Sequence, residues 1–339
     1  MDVIELLVLF AVLQLLAVLA FAISPYVRPR RFKLKGSHVI ITGGSSGIGK
    51  AVAVEAVKNG ASVTLMARKK AKLLEAQQEV EKYVQEGSKQ RVNIIVLDVA
   101  DEYSKVEQAF KEAVSELGPC DMLVNSAGVS CSKAFVDTDI EEFENVMKIN
   151  LNGTVQATRA VLDQMMSRQR GRIVLISSQA GQIGLYGFTA YSASKFALRG
   201  FAESLQMEVK PYDIYVTVNC PPDTDTPMLQ AESNDKPKET QLISETAGLF
   251  QPDVVAKIIL KDSQRGVFLS YVGLDGFLLK QITCGMSTVI STAEALQQVF
   301  LVGICRAIGL FYLTSFDKIV HKCKREREMA AITEKNKSE

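Results

Sequence analysis

Apolar and polar residues fall into three regimes along this chain. Residues 3–23 are apolar at every position except Glu5 and Gln14. From about 36 to 275, short β-branched apolar runs alternate with longer amphipathic stretches. The runs predict strands at His38–Thr42, Ser62–Ala67, Val92–Val99, Met122–Asn125, Arg172–Ser177, Tyr215–Asn219 and Val267–Tyr271. The stretches between them predict helices near 47–58, 69–86, 101–117, 139–168, 189–210 and 251–263. Continuous apolar strands separated by amphipathic helices imply a parallel sheet covered on both faces. With right-handed crossovers the expected fold is α/β, a Rossmann-type doubly wound parallel sheet in a single domain, with ligands at the carboxyl ends of the strands. Neither an internal repeat nor a linker divides this region.

The ends of the chain predict membrane contact. A run such as 3–23 matches the roughly 20 residues that cross a hydrocarbon core as a helix. A cleaved signal peptide is the competing reading, with Ala20-Phe21-Ala22 as a small-x-small site. However, Asp2 and Glu5 precede or open the apolar run where a signal peptide carries basic residues. Arg28, Arg30, Arg31, Lys33 and Lys35 follow it, so the positive-inside rule places the main domain on the cytosolic side. A second apolar region, 267–316, is interrupted by Asp275, Lys280, Glu294 and Arg306. It reads as a spanning hairpin, as helices lying on the membrane, or as an extension packed on the main domain. The chain then turns basic, with Lys318, Lys322, Lys324 and Arg325, and ends in Lys335-Asn336-Lys337-Ser338-Glu339, a K-x-K-x-x pattern of endoplasmic reticulum retrieval. The expected organisation is a membrane anchor at 1–27, a basic cytosolic flank at 28–35, the α/β domain at 36–275, an apolar membrane-associated region at 276–316 and a basic cytosolic tail at 317–339.

Composition adds mainly exclusions. Over 339 residues the net charge is +1, so global charge does not point to a nucleic acid partner, and none is expected. The six cysteines include no C-x-x-C pair, and His38 and His321 are the two histidines, so a metal site is not expected.

Two motifs carry chemistry. The first strand leads into Thr42-Gly43-Gly44-Ser45-Ser46-Gly47-Ile48-Gly49, with a helix to follow. Glycines at 43, 47 and 49 let the backbone turn tightly and approach a pyrophosphate, which the helix N-terminus stabilises. The same letters fit a G-x-S-x-G nucleophile elbow, but that requires a histidine late in the chain, where only His321 stands. After the second strand the chain reads Ala67-Arg68-Lys69-Lys70, with Lys72 beyond. An acidic residue there would favour NAD; Arg68 and Lys72 suit a 2′-phosphate instead, so NADPH is the expected cofactor.

Tyr191 and Lys195 stand at i and i+4 of a predicted helix and share one face. An ammonium beside a phenol is expected to lower its pKa and equip it for acid–base work on a carbonyl or alcohol. Upstream, Ser178 ends a strand and is placed to bind the substrate oxygen. Ser177, beside it, joins the catalytic candidates, although strand alternation turns it to the other face.

These motifs resemble the short-chain dehydrogenase/reductase family, in order, over 36–275. The resemblance implies Thr42–Gly49 as the cofactor loop and Asp98 as the adenine contact. Asn125-Ser126-Ala127-Gly128 stands as the family's NNAG segment, with Asn125 at the cofactor. Asn150, Ser178, Tyr191 and Lys195 form a catalytic tetrad, in which Asn150 holds a relay water and Tyr191 and Lys195 also meet the cofactor. Where the family has Pro-Gly, this chain has Pro221-Pro222-Asp223-Thr224-Asp225-Thr226, with Thr224 and Thr226 at the nicotinamide end. Within the family, SSQAG at 177–181, MEVKPY at 207–212, PPDTDTP at 221–227 and both apolar ends resemble membrane-bound reductases of a long-chain amino-ketone lipid. This implies NADPH-dependent ketone reduction at the cytosolic face of the endoplasmic reticulum, with that lipid and the membrane as partners; homo-oligomerisation stays open. A steroid or retinoid dehydrogenase, a cofactor-sensing scaffold and a lipid-binding structural protein are the alternatives. Asp223 and Asp225 are further candidates, as acceptors of a substrate amine.

Overall fold

The computed structural model describes residues 2–22, 29–232, 236–245 and 248–338. Arg28 of the basic flank and Glu339 of the terminal K-x-K-x-x pattern lie outside the described residues. The chain opens with helix α1 (Val3–Ala22). The α/β region then runs β1 (His38–Thr42), α2 (Gly47–Lys58), β2 (Ser62–Ala67), α3 (Lys70–Glu81), β3 (Val92–Val96), α4 (Tyr103–Leu117) and β4 (Met122–Asn125). Its second half runs α5 (Ile140–Met147), α6 (Gly153–Ser167), β5 (Gly171–Ile176), α7 (Thr189–Val209), β6 (Ile214–Cys220), α8 (Pro227–Glu232), α9 (Lys238–Ser244), α10 (Pro252–Arg265) and β7 (Leu269–Tyr271). Two further helices, α11 (Gly273–Ile282) and α12 (Thr292–Ser338), close the chain.

The seven strands form one parallel sheet in the order β3-β2-β1-β4-β5-β6-β7. Strand order reverses between β1 and β4, which opens a crevice at their carboxyl ends. Alternation along each strand feeds two cores. Ile40, Leu123, Ile173 and Leu175 pack with Phe110, Val161 and Leu205 on one face. Val39, Ile41, Val124 and Val174 pack with Val52, Ala56, Val255 and Ile259 on the other. Because both faces are covered, the strands read as continuous apolar runs instead of alternating ones.

The predicted elements are found with a few shifts of boundary. β3 leaves the sheet after Val96, although the Leu97 N–H still donates to the Ala67 carbonyl at 3.0 Å. The helix expected over 139–168 is interrupted by a π-helical turn at Lys148–Asn152, which separates α5 from α6. The expected boundary between 316 and 317 does not coincide with an element end: α12 runs across it as one helix of 47 residues.

Val3–Ala20 of α1, and α12 within Thr292–Glu334, are long and apolar enough to cross a membrane by length and composition. Along α1, Leu6, Leu9, Phe10, Leu13 and Leu16 are exposed, as are Ile304, Leu310 and Phe311 on α12. Contiguous exposed apolar surface of this kind marks membrane or partner contact. α11 and α12 pack together, α1 and α9 contact α12, and a buried Lys280–Glu294 ion pair of 2.6 Å ties α11 to the start of α12.

Candidate active site

One cavity of about 610 Å³ runs along the carboxyl edge of the sheet and under α11 and α12. Ser45, Ser46, Gly47, Ile48, Arg68, Lys72 and Asp98 line one end. Ser178, Tyr191, Lys195, Thr224 and Thr226 line the middle, while Leu279, Ile282, Ile308, Leu313 and Phe316 form an apolar arm.

The loop between β1 and α2 is built for close approach. Gly43 has φ +66°, and a Cβ there would stand 2.7 Å from the backbone nitrogen of Ala127, so the loop nests on the segment after β4. A Cβ on Gly49 would meet the Gly43 carbonyl at 2.4 Å; this residue closes the loop from behind and does not line the cavity. Ser46 occupies the N-cap of α2, yet its side chain makes no capping hydrogen bond. The first-turn N–H groups of α2 therefore keep their capacity for an anion. Arg68 and Lys72 stand near them, and Asp98 lies 3.8 Å from the Arg68 guanidinium.

Ser178 and Tyr191 meet where β5 hands over to the segment before α7. The Ser178 Oγ accepts from the Ala180 N–H at 3.1 Å, and its own O–H is directed to the Tyr191 oxygen. Burial pushes the Tyr191 phenol above its usual range; Glu232 and Asp223 add to this by charge, while a hydrogen bond with Ser178 opposes it. The expected lowering by Lys195 is thus corrected: the ammonium lies 5.5 Å from the ring centroid and donates to the Ile176 carbonyl at 2.8 Å. Burial brings Lys195 itself down to about 8.

Three of the sequence-predicted residues are engaged in hydrogen bonds to neighbouring segments. The Ser177 hydroxyl, though at the cavity wall, donates to the Lys195 carbonyl at 3.1 Å and so fastens β5 to α7. Strand alternation gives it this face, and the bond positions α7 against β5. Asn125 is buried and donates to Thr158 of α6 at 3.3 Å, away from the cavity lining. Asn150, in the π-helical turn, accepts from the Val129 N–H at 2.8 Å and donates to the Val129 carbonyl and the Ser194 hydroxyl at 3.0 and 2.9 Å. Its amide braces the segment after β4 against α7.

The segment after β6 separates the two aspartates singled out in the sequence. Asp223 lines the cavity and lies 3.6 Å from the Lys236 ammonium. Asp225 accepts from the Gln230 side chain at 3.0 Å and is not part of the lining. Sequence reasoning missed Glu232, the last residue of α8, whose buried carboxylate enters the cavity wall 3.1 Å from Lys236. No local pattern signalled it, since α8 ends at Glu232 and Lys236 lies outside a helix. Arg306, which lines the cavity from α12, was likewise missed as a residue of the site.

The histidines take no part in this wall. His38 is buried, hydrogen-bonded to the Gly118 carbonyl and the Thr64 hydroxyl at 2.7 and 2.8 Å, and His321, the late histidine a nucleophile elbow would need, is not in the cavity lining.

Comparison with known proteins agrees with this geometry. A family model described as short chain dehydrogenase matches residues 37–237. A 3-dehydrosphinganine reductase of Danio rerio is 53% identical over 97% of this chain and 99% of its own. A 3-ketodihydrosphingosine reductase of Bos taurus is 52% identical over 94% of this chain and 95% of its own. Among solved structures, an actinorhodin polyketide ketoreductase variant with NADPH superposes with a TM-score of 0.62 at 28% identity, covering 70% of this chain and 95% of that one.

Proposed function

The chain belongs to the short chain dehydrogenase family, and we propose that within it this member uses NADPH to reduce the 3-keto group of 3-ketodihydrosphingosine to dihydrosphingosine, a step of sphingolipid synthesis. The observation that carries this reading is the shape of the cavity. It joins Tyr191 and Ser178 to an apolar arm walled by Ile282 of α11 and Ile308, Leu313 and Phe316 of α12. A ketone on a long alkyl chain fills both parts.

The cofactor end fits NADPH. The nest at Gly43, the uncapped first turn of α2 and the cations Arg68 and Lys72 provide a cradle, backbone donors and charge for a dinucleotide bearing a 2′-phosphate. When bound, NADPH supplies the hydride for the carbonyl carbon. Tyr191 is held protonated at neutral pH by its burial and its carboxylate neighbours, so it gives its proton to the carbonyl oxygen as an alcohol forms. Ser178, whose O–H bonds to Tyr191, is the second donor for that same oxygen once the ketone lies between them. Lys195, at about 8, exchanges protons near neutrality and holds positive charge near Tyr191. Asn150 and Ser177 set the position of α7, and with it the geometry of the pair.

The domain sits on the cytosolic face of the endoplasmic reticulum, anchored by α1 and α12. Support comes from the basic residues Arg30, Arg31, Lys33 and Lys35 after α1 and the basic run from Lys318 to Arg325. Residues 1–27 and 276–316 are then the membrane-associated parts, with 36–275 as the catalytic domain.

The experiment is NADPH oxidation by microsomes containing the full chain, given 3-ketodihydrosphingosine, a steroid ketone or retinal. Turnover confined to the first, and reduced at least about 100-fold by Tyr191→Phe with NADPH binding retained, is the expected result. Wild-type rates in Tyr191→Phe refute the proton donor, and a preference for the steroid or retinal refutes the substrate. Protection of the catalytic domain from protease added outside sealed microsomes would overturn its cytosolic placement.

A further inference from the structure

Three charged groups stand beside the proton donor without balancing. Asp223, in the segment after β6, and Glu232, at the end of α8, both line the cavity and both approach the ammonium of Lys236, at 3.6 and 3.1 Å. The side chains of Glu232 and Lys236 are 9% and 5% exposed, so solvent does little to offset their charges. Among the described residues, the buried Oε1 of Glu232 accepts no hydrogen bond beyond its ion pair with Lys236. Among the described residues, this group sets two carboxylates against one cation.

The other charges nearby are committed, apart from Arg306, which lines the cavity from α12. Lys195 of α7 donates to the Ile176 carbonyl. On α9 and α12, Glu239 is paired with Arg327, and Lys238 with Glu326 at 2.8 Å. The group adjoins Tyr191: the Lys236 ammonium stands 5.4 Å from the centre of the Phe188 ring, whose centroid lies 5.4 Å from that of Tyr191, and both carboxylates share the cavity wall with Tyr191. A buried carboxylate without its full complement of partners is costly unless a cation completes it.

We propose that Glu232, with Asp223, receives the ammonium of the substrate on the carbon next to the reacting carbonyl, and that this pair selects an amino-ketone over a plain ketone. The inference rests on the reductase reading above. It replaces the pair Asp223 and Asp225 suggested by the sequence, since Asp225 is held by Gln230 outside the cavity lining. An incoming ammonium brings the group to two anions and two cations. It also offsets the charge that holds the Tyr191 proton, so the proton is released more readily once the correct substrate is bound.

The test compares kcat/KM with NADPH for the long-chain amino-ketone and for the same ketone lacking the amine. Wild type should prefer the amino-ketone, and Glu232→Gln should shrink that preference by about 10- to 100-fold, the range for one charged hydrogen bond. Glu232→Asp should restore part of it. Equal losses on both ketones would overturn the proposal and leave Glu232 a structural residue. Where Glu232→Gln no longer binds NADPH, Asp223→Asn supplies the same ratio. The wild-type enzyme provides a third arm: a long-chain primary amine should inhibit more strongly than the alcohol of equal length, and equal inhibition counts against the pair. If wild type reduces neither ketone, the reductase reading falls and takes this inference with it; if it reduces both equally well, only this inference falls.

Discussion

Replacing Lys195 by Met should abolish ketone reduction and yet stabilise the cofactor-free protein at neutral pH. Burial lowers the ammonium from its ordinary 10.5 to about 8. A fall of that size corresponds to ~3 kcal/mol of cost for keeping the charged form in the folded state. Met fills much of the same volume without charge. Its drawback is the Ile176 carbonyl, which loses the 2.8 Å hydrogen bond and is left buried, at a cost of ~1–2 kcal/mol. The net gain at pH 7 is then ~1–2 kcal/mol, a rise of a few degrees in Tm for a domain of this size, roughly 2–8 °C. The folded-state value lies below the unfolded one, so between pH 8 and 10.5 the unfolded chain holds more protons and the wild type gains stability as pH rises. The cost is fully present below pH 8 and fades through that window by ~1.4 kcal/mol per pH unit. The advantage of Lys195→Met should therefore shrink above pH 8 and vanish near pH 9. Thermal unfolding of the detergent-solubilised full chain at pH 7, 8 and 9 measures this directly. A variant less stable at pH 7, or a difference that does not change with pH, refutes the argument that Lys195 is a strained charge kept for function.

Two further outcomes are expected. Arg68→Ala should raise the KM for NADPH by about 10- to 100-fold and leave that for NADH nearly unchanged; equal changes on the two cofactors would remove Arg68 from the 2′-phosphate. Gly309 lines the apolar arm on α12, and a Cβ there would lie 3.4 Å from the Ile282 side chain, so Gly309→Trp should fill the arm. The KM should then rise about tenfold for a long-chain ketone and stay level for a short one, as steady-state assays with a chain-length series would show.

Local pattern decided more of the fold than of the site. The strands β1, β2 and β4 begin and end where the apolar runs do, because strands buried on both faces are nearly continuous in apolar residues. The π-helical turn at Asn150 and the uninterrupted course of α12 had no comparable signal. The first depends on the Val129 and Ser194 partners brought up from distant segments, and the second on α11 and α9 packing against a helix of mixed polarity.

The site divides in the same way. Tyr191 and Lys195 were legible because i,i+4 spacing puts both on one face of a helix, and the glycine loop because its strand and helix are adjacent in sequence. Strand alternation already set the face of Ser177, whereas the partners of Asn125 and Asp225, on α6 and α8, were settled by the fold. The ionisation of Tyr191 went opposite to the sequence expectation, since burial and two carboxylates outweigh a lysine whose ammonium is held by Ile176. Sequence alone determined the doubly wound sheet, the cofactor loop and the tyrosine–lysine pair, all of which follow from spacing along one element or between neighbours. Only the tertiary structure decided that Glu232 and Lys236 stand beside Tyr191, and that α12 supplies the apolar wall. Those placements come from segments remote along the chain meeting at one end of a sheet, where burial sets the strength of every charge.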